Sequence, residues 1–570
     1  MDNKIVFYDI EIFKHDALVI FKDLDKNIVK WYHNNFEGIG EFIKDKVLVG
    51  YNNYFYDDKI LTAMINQWSP YQIKELNDKL IRGEEWKNIH PDIVSLDCFQ
   101  QIAVSRPGLK KVEGNMGRMI LESAIPFTID RKLTPEEFQE TFEYCSYDID
   151  MTIEIYKLRK HSYFDSKEIL LEMLDKPYAS KWNTTTISAN LLLDKPLPKW
   201  STIRVDDDLL DNVPIEVKNM WLQANSIGAK IKTKTVTVTE FDNDIQFAFG
   251  GLHGAHKWIK KASDVILLDV ASMYPSIIIN NEVLGSATEK YREIRDERIR
   301  IKSIDKTMSE ALKLILNSVY GNLRNKYSTL NNPRASMSVC IYGQIVLYEL
   351  CKRLSPYVTI ININTDGVMF TTNNDMYKQV WKDWEKDFNL ILEEENFDLV
   401  IQKDVNNYVA VRDIKTKEDG KIKTKGNIIV KGTDTSKYVY DKLFDNNNTR
   451  IVDIAIVDKL INGKDVIQTL IENLDKPYLY QYILQAGPTY IGTFDEDDKQ
   501  YNKINRVFAS KVGNLCLQKK RKDNGLVRFA NAPEKMFLWN QDTSEIDDFT
   551  NIVDLNHYYQ LINTKLERWY

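Results

Sequence analysis

Cysteine is scarce and scattered, with five in 570 residues at Cys98, Cys145, Cys340, Cys351 and Cys516. Their odd number and wide spacing exclude a disulfide framework and CxxC metal knuckles, and fit a reducing cytoplasm. No apolar run approaches the roughly 18 residues of a membrane-spanning helix, so no membrane is expected among the partners. The opening MDNKIVFYDIEIF lacks the basic stretch and long apolar core of a secretory signal. A basic excess is also missing: 76 Lys and Arg against 83 Asp and Glu leave a formal net charge of −7. That excludes indiscriminate attraction to polyanions through global charge, but not a local basic track. Internal repeats and long low-complexity segments are absent, and the Asn-rich patches read as turns. What is present is an ordinary globular composition, 43% hydrophobic and 28% charged. Its length suggests about three to four domains.

KIVFYDIEIF is a β-type run, and ALVIFKDLDKNIVKWYH reads as two strands around a turn at Asp25 to Asn27. Helical spacing at 41–49, 57–68 and 135–160 completes one α/β domain over residues 1–165. Residues 166–245 read as a connector with its own hairpin. DVILLDV (264–270) is an apolar strand, YREIRDERIRIK (291–302) a charged helix and SEALKLILNSVYG (309–321) a second helix. A strand surrounds VTIININTDGVMF (358–370), and from about 435 the chain reads as mostly helical, rich in Lys and aromatics.

Asp9 and Glu11 flank Ile10 on the first strand, and alternation sends both to one face, the spacing at which two carboxylates share a metal. GYNNYFYDDKIL places Asp57 at a helix start after Asn53 and Tyr56, and YCSYDID places Tyr144 and Asp148 one helical turn apart. Four acids with an Asn, a Tyr and aromatics suit metal-assisted hydrolysis of a phosphodiester. A second cluster is sharper. LLDVASMYPSIII ends an apolar strand at Asp269, with Tyr274 beyond, and NTDG puts Asp366 at a hairpin turn. Between them Arg298 and Lys302 are i,i+4 neighbours, while Lys313, Asn317 and Tyr320 lie along one face of the next helix. Carboxylates at strand ends with cations between them suit phosphoryl transfer, which needs positioning and charge neutralisation more than covalent chemistry.

In this order, DVASMYP (269–275), KLILNSVYG (313–321) and NTDG (364–367) resemble motifs A, B and C of the family B DNA polymerases. FYDIE (7–11), NNYFYD (52–57) and YCSYD (144–148) resemble that family's three 3′–5′ exonuclease motifs. The resemblance implies a multidomain α/β and α+β chain: an RNase H-like exonuclease (1–165), the connector (166–245), then a right-hand polymerase. Its palm would be 246–285 and 331–435, its fingers 286–330 and its thumb 436–570. Asp9, Glu11, Asp57 and Asp148 would bind the exonuclease metals, Tyr144 would orient water, and Asn53 and Tyr56 would hold the frayed primer end. Asp269 and Asp366 would bind two catalytic Mg²⁺, with Mn²⁺ as a substitute. Tyr274 would act as a steric gate under the sugar. Lys313, Arg298 and Lys302 would meet the triphosphate, and Asn317, Tyr320 and Gly321 would shape the base-pair pocket. The implied partners are primer-template DNA and dNTPs, with a single-strand binder, helicase or clamp as accessory candidates. The implied state is a monomer in the cytoplasm, a bacterial host's if phage-encoded.

The chain departs from the family at motif C, which usually reads DTD, where Asn364 replaces the first Asp and Gly367 a more usual Ser. The Lys-x-Tyr element that holds the primer terminus is Asn406-Asn407-Tyr408, with Lys425 nearby. FAFGGLHGAH (247–256) only loosely matches the family's Tyr-x-Gly-Gly linker. Asp269 to Lys313 spans 44 residues and Gly321 to Asp366 spans 45, without the insertions of protein-primed phage members. An ordinary nucleic-acid primer is therefore expected, as is a compact phage or mobile-element enzyme lacking the long N-terminal domain of cellular replicases. Seven lysines between Lys415 and Lys437, and the runs YNKINRVFASK (501–511) and QKKRKDNG (518–525), would supply phosphate contacts, with Arg506 foremost. Arg131 or Lys132 would lend the exonuclease a cation. His253 and His256 are too few for zinc. Two rival readings are a polymerase that also starts chains de novo, and an exonuclease or DNA-binding protein whose polymerase site Asn364 has impaired.

Overall fold

The computed structural model describes residues 4–193, 195–227, 234–412, 428–439, 443–523 and 525–570. Two units form, one from Met1–Asn183, Tyr440–Ile451 and Leu470–Tyr558, the other from Thr184–Val439, Val452–Thr469 and Tyr559–Tyr570. Both mix helices and sheets.

In the first unit β1 (Ile5–Ile12) is the middle of a five-stranded sheet. β2 (Ala17–Lys22) and β3 (Ile28–His33) extend it by antiparallel pairing, β4 (Val47–Gly50) and β5 (Ser95–Asp97) by parallel pairing. Alternation along β1 sends Val6, Tyr8, Ile10 and Ile12 into one apolar cluster. Ile5 and Phe7 join the opposite cluster, which Cys145, Ile149 and Ile153 complete. Three helices matter for the site: α1 (Asp57–Ile65), α2 (Leu109–Asn115) and α3 (Pro135–Arg159). α3 begins at a reciprocal cap between Thr134 and Glu137, with Pro135 at its first turn, which fixes where the helix starts and so where its acids fall.

The second unit is built on a nine-stranded antiparallel sheet of β6 (Thr235–Glu240), β7 (Asn243–Ala248), β8 (Gly251–His256), β9 (Lys261–Val270), β10 (Thr359–Asn364), β11 (Gly367–Thr371), β12 (Leu392–Asp404), β13 (Asn407–Val411) and β14 (Ile428–Lys431). The spatial order is β14-β13-β12-β9-β11-β10-β8-β7-β6. Val265, Ile361, Met369, Phe397, Val400 and Ala410 form an apolar cluster on this sheet. Between β9 and β10 run α4 (Met273–Asn280), α5 (Thr288–Ile301), α6 (Lys306–Arg324) and α7 (Pro333–Leu354), the last packed on β8 and β11. Asp305 caps α6 by accepting from the Met308 amide at 2.9 Å, and Asn332 caps α7 ahead of Pro333.

Returning to the first unit, the chain adds β15 (Tyr482–Gln485), β16 (Tyr490–Phe494), β17 (Gln500–Tyr501), β18 (Ile504–Ala509), β19 (Gln518–Arg521), β20 (Leu526–Arg528) and β21 (Met536–Leu538). They form two small sheets, β15-β18-β21 and β17-β16-β19-β20. The segment 436–570 is thus not one mostly helical block, and residues 470–558 fold with the first unit. Nor do residues 166–245 stand apart. Those to Asn183 belong to the first unit, and the β6-β7 hairpin is annexed to the edge of the large sheet, where backbone pairing satisfies its open edge. No helix among the described residues is long and apolar enough to cross a membrane.

Candidate active sites

Asp9 and Glu11 continue the β1 face that Ile5 and Phe7 begin, so they lie on the side of α3. There they meet Asp57, at the start of α1, and Asp148 of α3. All four carboxyls are held above the ordinary range. Asp9 is pushed up to about 7 by burial and then by the Asp148 charge. Burial and then the Asp9 charge raise Glu11 and Asp57, and burial raises Asp148. Packed like charges with too few counter-ions behave in this way, and a cation among them would relieve the repulsion. Tyr144 hydrogen-bonds to Asp148 from one turn earlier. Asp9, Glu11 and Cys145 offer ligand atoms within 4.8 Å of one another.

The counter-ion that sequence reasoning missed is Lys110 of α2. Its Nζ pairs with Asp148, reaches Glu113 at 3.4 Å and lies 4.5 Å over the Tyr144 ring. Burial opposes its charge, but Asp148 and Glu113 outweigh burial and hold the ammonium protonated. LKKVEGN reads locally as one more charged helix, and only tertiary packing brings it to the acids. Arg131, the cation expected from sequence, is instead committed to Glu137 through bonds of 2.6 and 2.7 Å. Asn53 lies beside this cluster. It is fully buried and its amide donates to Asp58 Oδ1 at 3.0 Å, which clamps the loop ahead of α1. Asp58 also accepts from Tyr8, Ser95 and Lys181 at 2.5, 2.7 and 2.5 Å, a buried network that fixes the start of α1. Tyr56 is half-buried, with its hydroxyl donating to Asn77.

In the second unit Asp269 is opposite Gly367 in the β9-β11 pair, and the Val270 amide donates to the Asp366 carbonyl at 2.8 Å. This register puts both candidate acids at one end of the sheet. Asp269 is pushed up to about 7 by burial, then by Asp366, Glu395 and Glu393. Gly367 has a steric reason to lack a side chain, since a Cβ there would come within 2.9 Å of Asp269 Oδ1. The two-residue turn holds Thr365 at φ 56°, a strained conformation for a β-branched residue, stabilised by its amide donating to Leu252 at 2.8 Å. Asn364 is accommodated as an amide, because its Nδ2 donates to the Val405 carbonyl at 3.0 Å, a bond that an ionised Asp could not make.

Tyr274 of α4 and Tyr320 of α6 stack with ring centroids 4.4 Å apart. The Arg324 guanidinium donates to the Tyr320 hydroxyl at 2.6 Å. Asn317 is exposed on the same helix, and Lys313 pairs with Glu310 at 3.4 Å. Lys302 is exposed, whereas Arg298 is half-buried with a buried Nε that finds no hydrogen-bond partner. Tyr408 is half-buried on β13 opposite Lys431 of β14, whose ammonium lies 5.9 Å from the ring. Lys431 is the basic neighbour of Asp366 and draws its pKa down against the burial that raises it. A lysine thus stands beside Tyr408 from the next strand, where Asn406-Asn407-Tyr408 has none two residues upstream. Lys425 lies outside the described residues.

Arg506 does not offer its charge to DNA. It is fully buried in β18, with Nε donating to Gln481 at 2.8 Å, Nη1 to the Gln541 carbonyl at 2.6 Å, and Nη2 to the carbonyls of Gly114 and Arg118. It ties residues 470–558 to α2 within the first unit. Arg506→Met keeps the length and strands these acceptors, so unfolding by denaturant should show a loss of about 3–5 kcal/mol. A variant of unchanged stability with weakened DNA binding would restore the phosphate-contact role.

No protein-family model matches the chain, and no curated protein matches it. Among solved structures, the family B DNA polymerase from the hyperthermophilic archaeon Pyrobaculum calidifontis aligns over 99% of this chain and 77% of its own, at 14% identity and a TM-score of 0.43.

Proposed function

We propose that the chain is a DNA-directed DNA polymerase with a 3′–5′ exonuclease, the second unit extending a primer and the first trimming it. The observation that carries this reading is the register placing Asp269 against the Asp366 turn, with each acid above the usual carboxylate range. The donor chemistry fits hard divalent ions, because each cluster is carboxylate-rich and short of positive charge. Asp269 and Asp366 would hold Mg²⁺ in one unit, and Asp9, Glu11, Asp57 and Asp148 in the other. Bound there, two ions would activate the attacking oxygen and neutralise charge on the leaving group.

In the polymerase unit Tyr274 packs beneath the incoming sugar, and Lys431 with Tyr408 supports the primer end. Arg298, with its unpartnered Nε, faces the leaving pyrophosphate together with Lys302 and Lys313. In the nuclease unit Tyr144 orients water, and Lys110 fixes the Asp148 carboxyl and draws its pKa down against the burial that raises it. Helices α4 to α7 occupy the two intervals in which protein-primed members carry insertions, which favours an ordinary nucleic-acid primer. The test is a 5′-labelled primer on a longer template with Mg²⁺. It should lengthen with dNTPs and shorten without them. Shortening alone would return the reading to a nuclease with a dead second site, and growth on unprimed circles would favour de novo starts.

The elevated acids also set a pH dependence. Each folded pKa lies above its unfolded value of about 4, so between about pH 4 and 7 the native metal-free state holds protons the unfolded chain has lost. Stability then falls as pH rises through that window. Melts at pH 5 and 8 should show a lower Tm at pH 8 without metal and an Mg²⁺-induced rise of at least about 3 °C there, much reduced at pH 5.

A further inference from the structure

The first-unit cluster contains one donor that its carboxylate chemistry does not need. Cys145 lies on α3 three residues before Asp148, hence on the same helix face. Its sulfur and one oxygen each from Asp9 and Glu11 lie within 4.8 Å of one another. Cys145 is fully buried while Asp9 is partly open, so an ion entering over Asp9 meets the sulfur behind it. Two of the other thiols are taken up elsewhere: Cys98 donates to the Thr152 carbonyl at 3.8 Å, and Cys340 accepts from Gln344 at 3.4 Å. Among the described residues no cysteine joins the Asp269–Asp366 cluster as a potential ligand.

Mg²⁺ takes oxygen and leaves a thiol unused, whereas Zn²⁺, Co²⁺ and Cd²⁺ accept mixed sulfur and oxygen sets. A tetrahedral ion bonded at about 2.0–2.3 Å sets its ligand atoms about 3.6 Å apart. The three atoms, at most 4.8 Å apart, therefore need to close by no more than about 1.2 Å, within reach of side-chain rotation. We propose that Asp9, Glu11 and Cys145 form a binding site for thiophilic divalent ions, which displaces the oxygen-bound ions of the nuclease and halts trimming while extension continues. Zn²⁺ or Co²⁺ binds through two carboxylate oxygens and the Cys145 sulfur, with the thiol proton leaving to solvent. The binding claim rests on geometry alone, and the effect on trimming rests on the nuclease reading above.

The test uses the full chain titrated with Co²⁺ and read by sulfur-to-cobalt charge-transfer absorption, with Zn²⁺ as competitor. The wild type should show the band, and one equivalent of Zn²⁺ should erase it. Cys145→Ser should lose the band and bind Zn²⁺ at least about tenfold more weakly, and its remaining Mg²⁺-dependent trimming should resist Zn²⁺ concentrations that stop the wild type. Asp9→Asn, which keeps the thiol, should also weaken Co²⁺ binding, a safeguard if the serine variant misfolds. Absence of the band in wild type, or its survival in Cys145→Ser, would overturn the proposal. A band in a protein that trims nothing with Mg²⁺ would keep the metal site and sink the nuclease reading instead.

Discussion

Asp366→Ala is expected to lower primer extension at least about 10³-fold, on the order of 4 kcal/mol in the barrier, and to leave trimming intact. Asp366 sits at a turn whose backbone is pinned on two sides. The Val270 amide donates to its carbonyl at 2.8 Å, and the neighbouring Thr365 amide donates to Leu252 at 2.8 Å. Removing the carboxyl therefore changes charge and metal affinity rather than the turn. Asp269→Ala should act equally, since Asp269 lies opposite the turn that carries Asp366 and neither acid substitutes for the other. Asn364→Asp provides the contrast. It restores the family's usual residue but sets a carboxylate against the Val405 carbonyl, so extension should not rise. Primer-extension rates under single-turnover conditions measure all three variants. Full activity in Asp366→Ala would remove the second unit from the reaction.

Asp9→Ala should cut trimming by a similar factor, about 10³-fold, while extension continues. Relief of repulsion gives a further signature. With Asp9 gone, Glu11 and Asp57 lose the largest neighbouring charge that raises them, so the metal-free variant should be less destabilised at pH 8 than the wild type. Loss of trimming together with a higher metal-free Tm separates removal of a ligand from simple damage to the fold. Release of labelled mononucleotide from single-stranded DNA, and a melt at the same pH, record the two effects.

Much of both clusters was legible because each lies on a short periodic element. Alternation along IVFYDIEI places Asp9 and Glu11 on one face, and helical spacing in YCSYD aligns Tyr144 with Asp148. NTDG predicts a hairpin turn, and the turn brings Asp366 to the strand end carrying Asp269. What stayed illegible depends on partners distant in sequence. Arg506 sits in a run of cations and aromatics that looks like a solvated DNA-facing strand, yet its acceptors at Gly114 and Arg118 are almost 400 residues away along the chain and draw it into a core. Lys110 and Lys431 are ordinary lysines until α2 folds beneath Tyr144 and β14 pairs with Tyr408. The long tail misled for the same reason. Its helical segments are local, but the contacts that place residues 470–558 in the first unit are not: the Ile120 amide donates to the Asn540 carbonyl at 2.7 Å and the Lys503 amide to Glu122 at 2.9 Å.

The central claim is that one chain adds nucleotides with Asp269 and Asp366 and removes them with Asp9 and its neighbours. Nucleotide turnover tests it most directly. A primer-template that calls for one α-labelled dNTP is incubated with Mg²⁺, and free labelled dNMP is measured against label retained in DNA. The wild type should release dNMP steadily while the primer length holds. Asp9→Ala should incorporate label and release none, and Asp366→Ala should do neither. Wild-type protein that releases no dNMP, or release that persists in Asp9→Ala, would contradict the account.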